Sequence, residues 1–332
     1  MKQFINRRAL ALGAASVAAL LVAGACSVIE GTEGGGSALP VVKFGATLQP
    51  SSIGMVAEVI KERSLDEECG INLDVTSFSP DAAEIALLSG QTDVGYFGFN
   101  SWAGSSEKLE KLAMIEPLQA EHGVLYVRED SPSTSLEDLK GQKIALLPPV
   151  SAQYNDFKML VAKMGMDLES DFEAVTGPPP AIEAFLKRGE VAAAILFEPN
   201  GTNLEQAGGY RPLFSLNERW TEITGDPLYM LGVSANRTWL EGNEAEAQCA
   251  AEAIHAATEL LANDDSVYAE FRADLEVEDD DHLAMLAENL GAIYTAQTAD
   301  EASSAVREQL EIAKDLGLID TVPDPIFTPL GD

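Results

Sequence analysis

Residues 79–99 read Ser-Pro-Asp-Ala-Ala-Glu-Ile-Ala-Leu-Leu-Ser-Gly-Gln-Thr-Asp-Val-Gly-Tyr-Phe-Gly-Phe. Ser79 can cap a helix. Pro80 suits the first helical position, where no intrahelical N–H is needed, and Asp81 places negative charge against the positive end of the helix dipole. Gly90 can adopt the left-handed conformation that closes such a helix. Val94–Phe99 is then an apolar run of strand length. Upstream, Asn72–Phe78 alternates Leu73 and Val75 with polar neighbours, as a half-buried strand does. Before it, the strand Val41–Ala46 leads to a helix that Ser51 or Ser52 starts and Arg63 ends, with Met55, Val56, Val59 and Ile60 at helical spacing. The order β-α-β-α-β predicts a parallel sheet covered by helices on both faces.

The pattern recurs. A strand at Lys143–Leu147, a helix capped by Ser151, a strand at Phe172–Thr176, a helix opened by Pro180 and closed by Gly189, and a strand at Val191–Phe197 repeat the plan. Ala82, Glu84, Leu87 and Gly90 stand 99 residues before Ala181, Glu183, Leu186 and Gly189. An α/β half used twice predicts two similar lobes facing a cleft. The length of 332 residues also exceeds what one core usually supports. Beyond a strand at Leu228–Ala235 the chain reads as helical, at about 244–262, 265–274, 281–294 and 300–316, and ends in a proline-rich strap, Val322–Pro329.

The first 25 residues read as a targeting segment: Lys2, Arg7 and Arg8, then the apolar run Ala9–Ala23. The following Leu21-Val22-Ala23-Gly24-Ala25-Cys26 resembles a lipoprotein lipobox, which implies cleavage before Cys26 and diacylglycerol on its sulfur. The alternative is an uncleaved anchor. Arg7-Arg8 also resembles a twin-arginine signal, so the export route stays open between Sec and twin-arginine. Residues 26–41, with Gly34-Gly35-Gly36-Ser37 at the centre, read as a flexible tether. Past residue 25 the chain holds 18 basic and 54 acidic groups. That surface repels nucleic acid. With Cys26 lipidated, Cys69 and Cys249 remain in an oxidising compartment, either as a disulfide or as two buried thiols.

Three stretches carry a family resemblance: Leu88-Ser89-Gly90-Gln91-Thr92-Asp93-Val94-Gly95; Val127-Arg128 through Ser135-Leu136-Glu137-Asp138-Leu139-Lys140-Gly141-Gln142-Lys143-Ile144-Ala145; and Gly189–Pro199. Over roughly residues 42–270 the chain resembles the solute-binding proteins of the nitrate, sulfonate, taurine and thiamine-precursor ABC importers. It departs from their pattern at Ala192, where an aspartate is usual, and at Glu68-Cys69-Gly70, where lysine-glycine-phenylalanine is common. The resemblance implies a type II periplasmic binding protein: two Rossmann-like α/β lobes joined by a two-strand hinge, with a helical C-terminal tail. The hinge would lie near Leu125–Arg128 and Leu228–Gly232. Lobe I would be 42–127 plus 230–332, and lobe II 128–229. It further implies an extracytoplasmic, membrane-anchored protein that delivers a solute to permease and ATPase subunits.

In open α/β sheets ligands bind beyond the carboxyl ends of strands, at helix N-termini. That rule selects four loops and, within them, Thr47, Gln49, Ser51, Phe99, Asn100, Trp102, Ser151, Gln153, Tyr154, Asn155, Glu198 and Asn200. The set combines hydroxyls, amides and aromatic faces with one acid and no lysine or arginine, which suits an aromatic or heteroaromatic solute, a zwitterion or a sulfonate. Each residue has a second reading. The serines can simply cap helices, Phe99 can face the core, Trp102 can cover a lobe surface, and Glu198 can brace its own loop. An anion would need Arg219 or Arg237 folded inward, or backbone amides. His122, His255 and His282 stand too far apart to suggest a metal site, and neither Gly-x-Ser-x-Gly nor a glycine-rich phosphate loop occurs. No cofactor and no catalytic residue is expected. The competing readings are a cofactor-precursor enzyme on the same bilobal fold and a sensory lipoprotein.

Overall fold

β1 (Val41–Thr47) alternates exposed Val41 and Lys43 with buried Val42 and Phe44 before it enters the core. It opens the structure, a computed structural model that describes residues 39–330. The targeting segment, Cys26 and most of the tether lie outside the described residues. β1 pairs in parallel with β2 (Asn72–Phe78) and with β3 (Val94–Gly98), every residue of which is buried. β10 (Tyr229–Asn236) lies antiparallel to β3 and to the edge strand β4 (Leu112–Ala120). The first sheet therefore runs β2-β1-β3-β10-β4.

The second sheet repeats this order with β7 (Glu173–Thr176), β6 (Lys143–Leu146), β8 (Ala193–Leu196), β5 (Val124–Arg128) and β9 (Tyr210–Ser215). In both, three parallel strands are followed by an antiparallel pair. The two sheets exchange their fourth strands: β10, after the second sheet in sequence, completes the first, and β5, directly after the first, completes the second. This is the expected α/β class with its helical C-terminal part. Residues 124–127, expected on the near side of a crossover, pair within the second sheet instead. The chain changes sheets at Glu121–Gly123 and again between Ser215 and Tyr229.

Local chemistry explains the helices that hold the sheets. Ser51 accepts a hydrogen bond from the Gly54 N–H (3.0 Å) and starts the helix Ser52–Arg63; Ser151 does the same for Tyr154 at the head of Ala152–Lys163. The equivalent helices Pro80–Ser89 and Pro179–Lys187 both carry proline in the first turn. The chain leaves them through Gly90 and Gly189, at φ +72° and +68°, where a side chain would be strained. Leu87 and Leu186, at matching positions, are fully buried. The C-terminal part forms Glu244–Asn263, a 3-10 segment Asp265–Phe271, and the helices Asp280–Gly291 and Ala299–Asp315. Cys249 on the first of these is disulfide-bonded to Cys69, with Cα atoms 5.4 Å apart.

One apolar cluster packs the first sheet against the C-terminal helices through Phe44, Met55, Ile254 and Leu286. A second runs from Phe97 and Phe99 through Leu125, Ile144 and Phe157 to Leu310, so it touches both sheets. The proline-rich strap closes over it: Phe327 packs edge-on against Phe99, and Thr328 N–H donates to the Met114 carbonyl. Among the described residues no helix is long and apolar enough to cross a membrane.

Candidate functional site

At the first crossover the apolar run of β4 gives way to Gln119-Ala120-Glu121-His122-Gly123. Glu121 and His122 of this segment line a cavity of about 480 Å³. The cavity is walled by β5 and the end of β9, and by the helices Asn200–Ala207 and Asp280–Gly291. Those two helices close one edge. Asn289 Nδ2 donates to Thr202 Oγ1 (2.7 Å), and His282 Nε2 meets Asn203 Oδ1 at 2.8 Å. Since His282 Nδ1 accepts the Glu278 N–H, the Nε2–H of the neutral ring is the donor to Asn203.

Behind the cavity lies a layer of buried polar side chains. Glu121, Asp156 and Gln153 are 2%, 1% and 1% exposed. Glu121 Oε1 accepts from the Gly123 N–H (2.7 Å), and Asn100 Nδ2 donates to Asp156 Oδ1 (2.6 Å). The Gln153 Oε1 accepts from Leu147 N–H, and Ser52 Oγ donates to Gln119 Oε1. The remaining valences are open. Eight buried side-chain atoms of the described residues have no donor–acceptor partner, and six of them belong to this layer and the crossover: Asn100 Oδ1, Gln119 Nε2, His122 Nδ1, Gln153 Nε2, and Glu121 Oε2 and Asp156 Oδ2, whose carboxyls have only each other. Native interiors leave few such atoms, so a concentration at one place marks a site.

The electrostatics are those of an acidic, dry pocket. The Glu121 and Asp156 carboxyls hydrogen-bond each other, which requires a shared proton. Burial, then the Glu121 charge and that hydrogen bond, hold Asp156 well above the ordinary aspartate range. Burial raises Glu198 as well, opposed by Thr202, whose N–H donates to Glu198 Oε2. His122 is pushed down to about 4 by burial, so its ring is neutral at physiological pH; it lies 4.9 Å from the Phe197 ring. Tyr126 donates to Glu205 Oε1 (2.8 Å). The cavity lining includes five glutamates, Glu121, Glu198, Glu205, Glu218 and Glu288, and no lysine or arginine. Arg219 is paired with Glu222 on the surface, and Arg237 donates to the Leu109 carbonyl, so neither folds inward.

Of the twelve residues selected from sequence, Glu198 lines this cavity, and Asn100 and Gln153 belong to the layer behind it. The others sit elsewhere. Phe99 packs edge-on between Tyr229 and Phe327, and Trp102 is buried with its indole N–H donating to the Leu112 carbonyl; both are core residues, because strand β3 ends one residue before Phe99 and turns it inward. Thr47, Gln49 and Ser51 satisfy one another at the head of the first helix. Ser151 caps its helix, Asn155 donates to the Ser151 carbonyl, Tyr154 packs in the shared apolar cluster, and Asn200 is exposed. Glu121, His122, Asp156 and the wall formed by Asp280–Gly291 were not selected. Among the described residues no three His, Cys, Asp or Glu side chains are placed to hold a metal ion.

Comparison with known proteins gives one direction. Residues 61–219 match the family model of the "ABC transporter, phosphonate, periplasmic substrate-binding protein". The fold is similar to that of the periplasmic aliphatic sulphonate binding protein SsuA of Escherichia coli, at 21% identity over 87% of this chain and 92% of that one, with a TM-score of 0.67. It is also similar to SsuA of Xanthomonas axonopodis pv. citri bound to MOPS (17%, 85% and 95%, 0.65) and to the nitrate-binding protein NrtA of Synechocystis PCC 6803 (12%, 87% and 84%, 0.68). No curated protein sequence matches the chain. The resemblance read from the three sequence anchors is thus found again in a family match and in the fold: the chain is like the periplasmic substrate-binding components of ABC importers.

Proposed function

We propose that this chain is the extracytoplasmic solute-binding component of an ABC importer, tethered to the membrane through lipidated Cys26. The observation that carries the reading is the cavity at the sheet crossover, lined by Glu121 and His122 and backed by a buried layer in which Asn100 Oδ1, Gln119 Nε2 and Gln153 Nε2 have no protein partner. A fold stabilised for its own sake would satisfy or remove them, since each unpaired buried group costs about 1–3 kcal/mol. A solute that bonds Glu121 and His122, which line the cavity, recovers part of that cost on binding.

In this reading 42–123 plus 229–330 form lobe I and 124–228 form lobe II, with the crossovers as hinge. The second apolar cluster holds the lobes on one side. The edge where Asn200–Ala207 meets Asp280–Gly291 is joined by two side-chain hydrogen bonds, and separating it would admit the solute and free it to a permease. Permease and ATPase subunits are the partners. The test is a solute screen by thermal shift on the chain beginning at Cys26. A ligand at 100 times its Kd stabilises the fold by about 2.7 kcal/mol. The expected result is a solute that raises Tm without being chemically changed. Turnover of the solute would favour a cofactor-precursor enzyme on the same fold. A broad library with no effect would favour a sensory lipoprotein. Metabolic labelling with radioactive palmitate, lost in Cys26→Ala, tests the anchor.

A further inference from the structure

The relatives named above are described as binders of sulphonate, nitrate or phosphonate, all of them anions. The pocket in this chain has the opposite character. We propose that it selects a small organic cation, a protonated amine or amidine on an apolar or aromatic body, with Glu121 and Glu198 as its counter-charges. This rests on the solute-binding reading given above and specifies its ligand class.

Three independent observations carry it. The first is charge. Five glutamates and no basic side chain line the cavity, and the arginines nearest in sequence are engaged elsewhere: Arg211 donates to the Ser131 and Ser133 carbonyls, and Arg219 pairs with Glu222. A sulfonate placed here would meet carboxylates in a medium that screens them poorly, with no cation to offset the loss of its hydration.

The second is hydrogen-bonding sense. Glu121, 2% exposed, lines the cavity, and its Oε2 has no donor except the proton shared with Asp156 in the layer behind. An anionic headgroup brings only acceptors and gives Glu121 nothing to bond. An ammonium or amidinium brings two or more N–H donors and a charge. Glu198, held at its loop by the Thr202 N–H, offers a second carboxylate at the same cavity.

The third is shape. Val124, Leu213, Phe214, Met285 and Ile293 give the cavity apolar walls. A bare metal ion uses neither those walls nor about 480 Å³, and no cluster of three metal-ligating side chains is present among the described residues. An organic body does use them.

The test uses the chain beginning at Cys26 and three probes of one shape: benzamidinium, neutral benzamide and benzenesulfonate. Titration calorimetry is run with each at millimolar concentration, alongside Mg²⁺ and Zn²⁺. Benzamidinium is expected to bind at least tenfold more tightly than benzamide, and benzenesulfonate not at all. Glu198→Gln is expected to weaken benzamidinium about tenfold or more, as loss of a charged hydrogen bond does, and Glu121→Gln to do the same. Melting curves of both variants show whether they fold; Glu198, with one wall open to the cavity, keeps the test alive if Glu121→Gln does not. Tighter binding of benzenesulfonate than of benzamidinium would overturn the cation assignment and leave the solute-binding reading standing. So would binding of the metal ions alone, or benzamidinium binding that both variants retain. If none of the three organic probes binds, the cation assignment falls, and the broad solute screen decides the solute-binding reading by itself.

Discussion

Asp156→Asn isolates the buried acid pair. In the native fold the Asp156 and Glu121 carboxyls share one proton in a dry layer, with Asn100 the only amide donor bonded to Asp156 Oδ1. In the unfolded chain both ionise in the ordinary carboxylate range. The folded state therefore binds one more proton than the unfolded state across the window that opens at the ordinary aspartate range and closes at the raised folded value. The sign follows: stability from this pair is fully present below the unfolded value and is lost as pH rises through that window. The slope is about 1.4 kcal/mol for each pH unit while one extra proton is held. Asparagine keeps the shape, still accepts from Asn100 and offers Glu121 a permanent N–H donor, so the variant should lose this slope. The assay is urea unfolding of wild type and variant in parallel from pH 4.5 to 7.5; taking the difference cancels every titration the two share. The variant is expected to gain on wild type by about 1.4 kcal/mol per pH unit, until the wild-type pair gives up its proton. A difference that stays flat with pH would refute the shared proton and the dry environment inferred for it.

Three more outcomes can be checked. Joint replacement Cys69→Ser/Cys249→Ser opens a link between residues 180 apart in sequence, and should cost about 2–5 kcal/mol by urea unfolding, with no change when wild type and variant are compared under reductant. Thr202→Val removes the acceptor of Asn289 Nδ2 at the closing edge; ligand affinity should drop about tenfold, mainly as faster dissociation in stopped-flow traces, and an unchanged dissociation rate would place the closing contact elsewhere. A methyl at Gly123 would lie 2.8 Å from Glu121 Oε1, 2.9 Å from Ile195 and 3.0 Å from Gln153 Nε2, so Gly123→Ala should cost about 1–3 kcal/mol and weaken ligand binding, both read by thermal shift with and without solute.

The parallel half of each sheet was legible because its signals are local. Ser51, Ser151, Pro80, Gly90 and Gly189 each act within one turn of chain, and the structure uses all of them where the sequence places them. β4 and β9 went unread for a reason that is also physical. Each contains a proline, Pro117 and Pro212, which interrupts the strand pattern, and each lies at the edge of its sheet, where a missing N–H leaves no ladder bond unmade. Only pairing with β10 and β5 makes them strands, and that pairing is invisible before the chain folds. The site was half legible. The rule that ligands gather beyond strand ends led to Glu198, Asn100 and Gln153. It passed over Glu121, which follows the antiparallel edge strand β4. The one available signal was the polar break Gln119-Ala120-Glu121-His122-Gly123 between two largely apolar stretches.

The acidity of the whole chain offers a rival account of the pocket: a protein with 54 acidic residues will have some of them anywhere. That account covers Glu218 and Glu288, which solvent can reach at the rim, and it covers the surface carboxylates held in exposed ion pairs such as Arg63–Glu270. It does not cover Glu121 and Asp156. A surface acid costs the fold little because water solvates it. A carboxyl at 1–2% exposure has no water and here has no basic partner, so composition alone would select against it. Two such groups placed side by side, with Asn100 as the one side-chain amide donor to Asp156, are a standing cost to the empty fold that a positively charged guest beside Glu121 reduces. The excess of surface acid then acts at longer range, drawing cations toward a mouth whose interior is built to hold one.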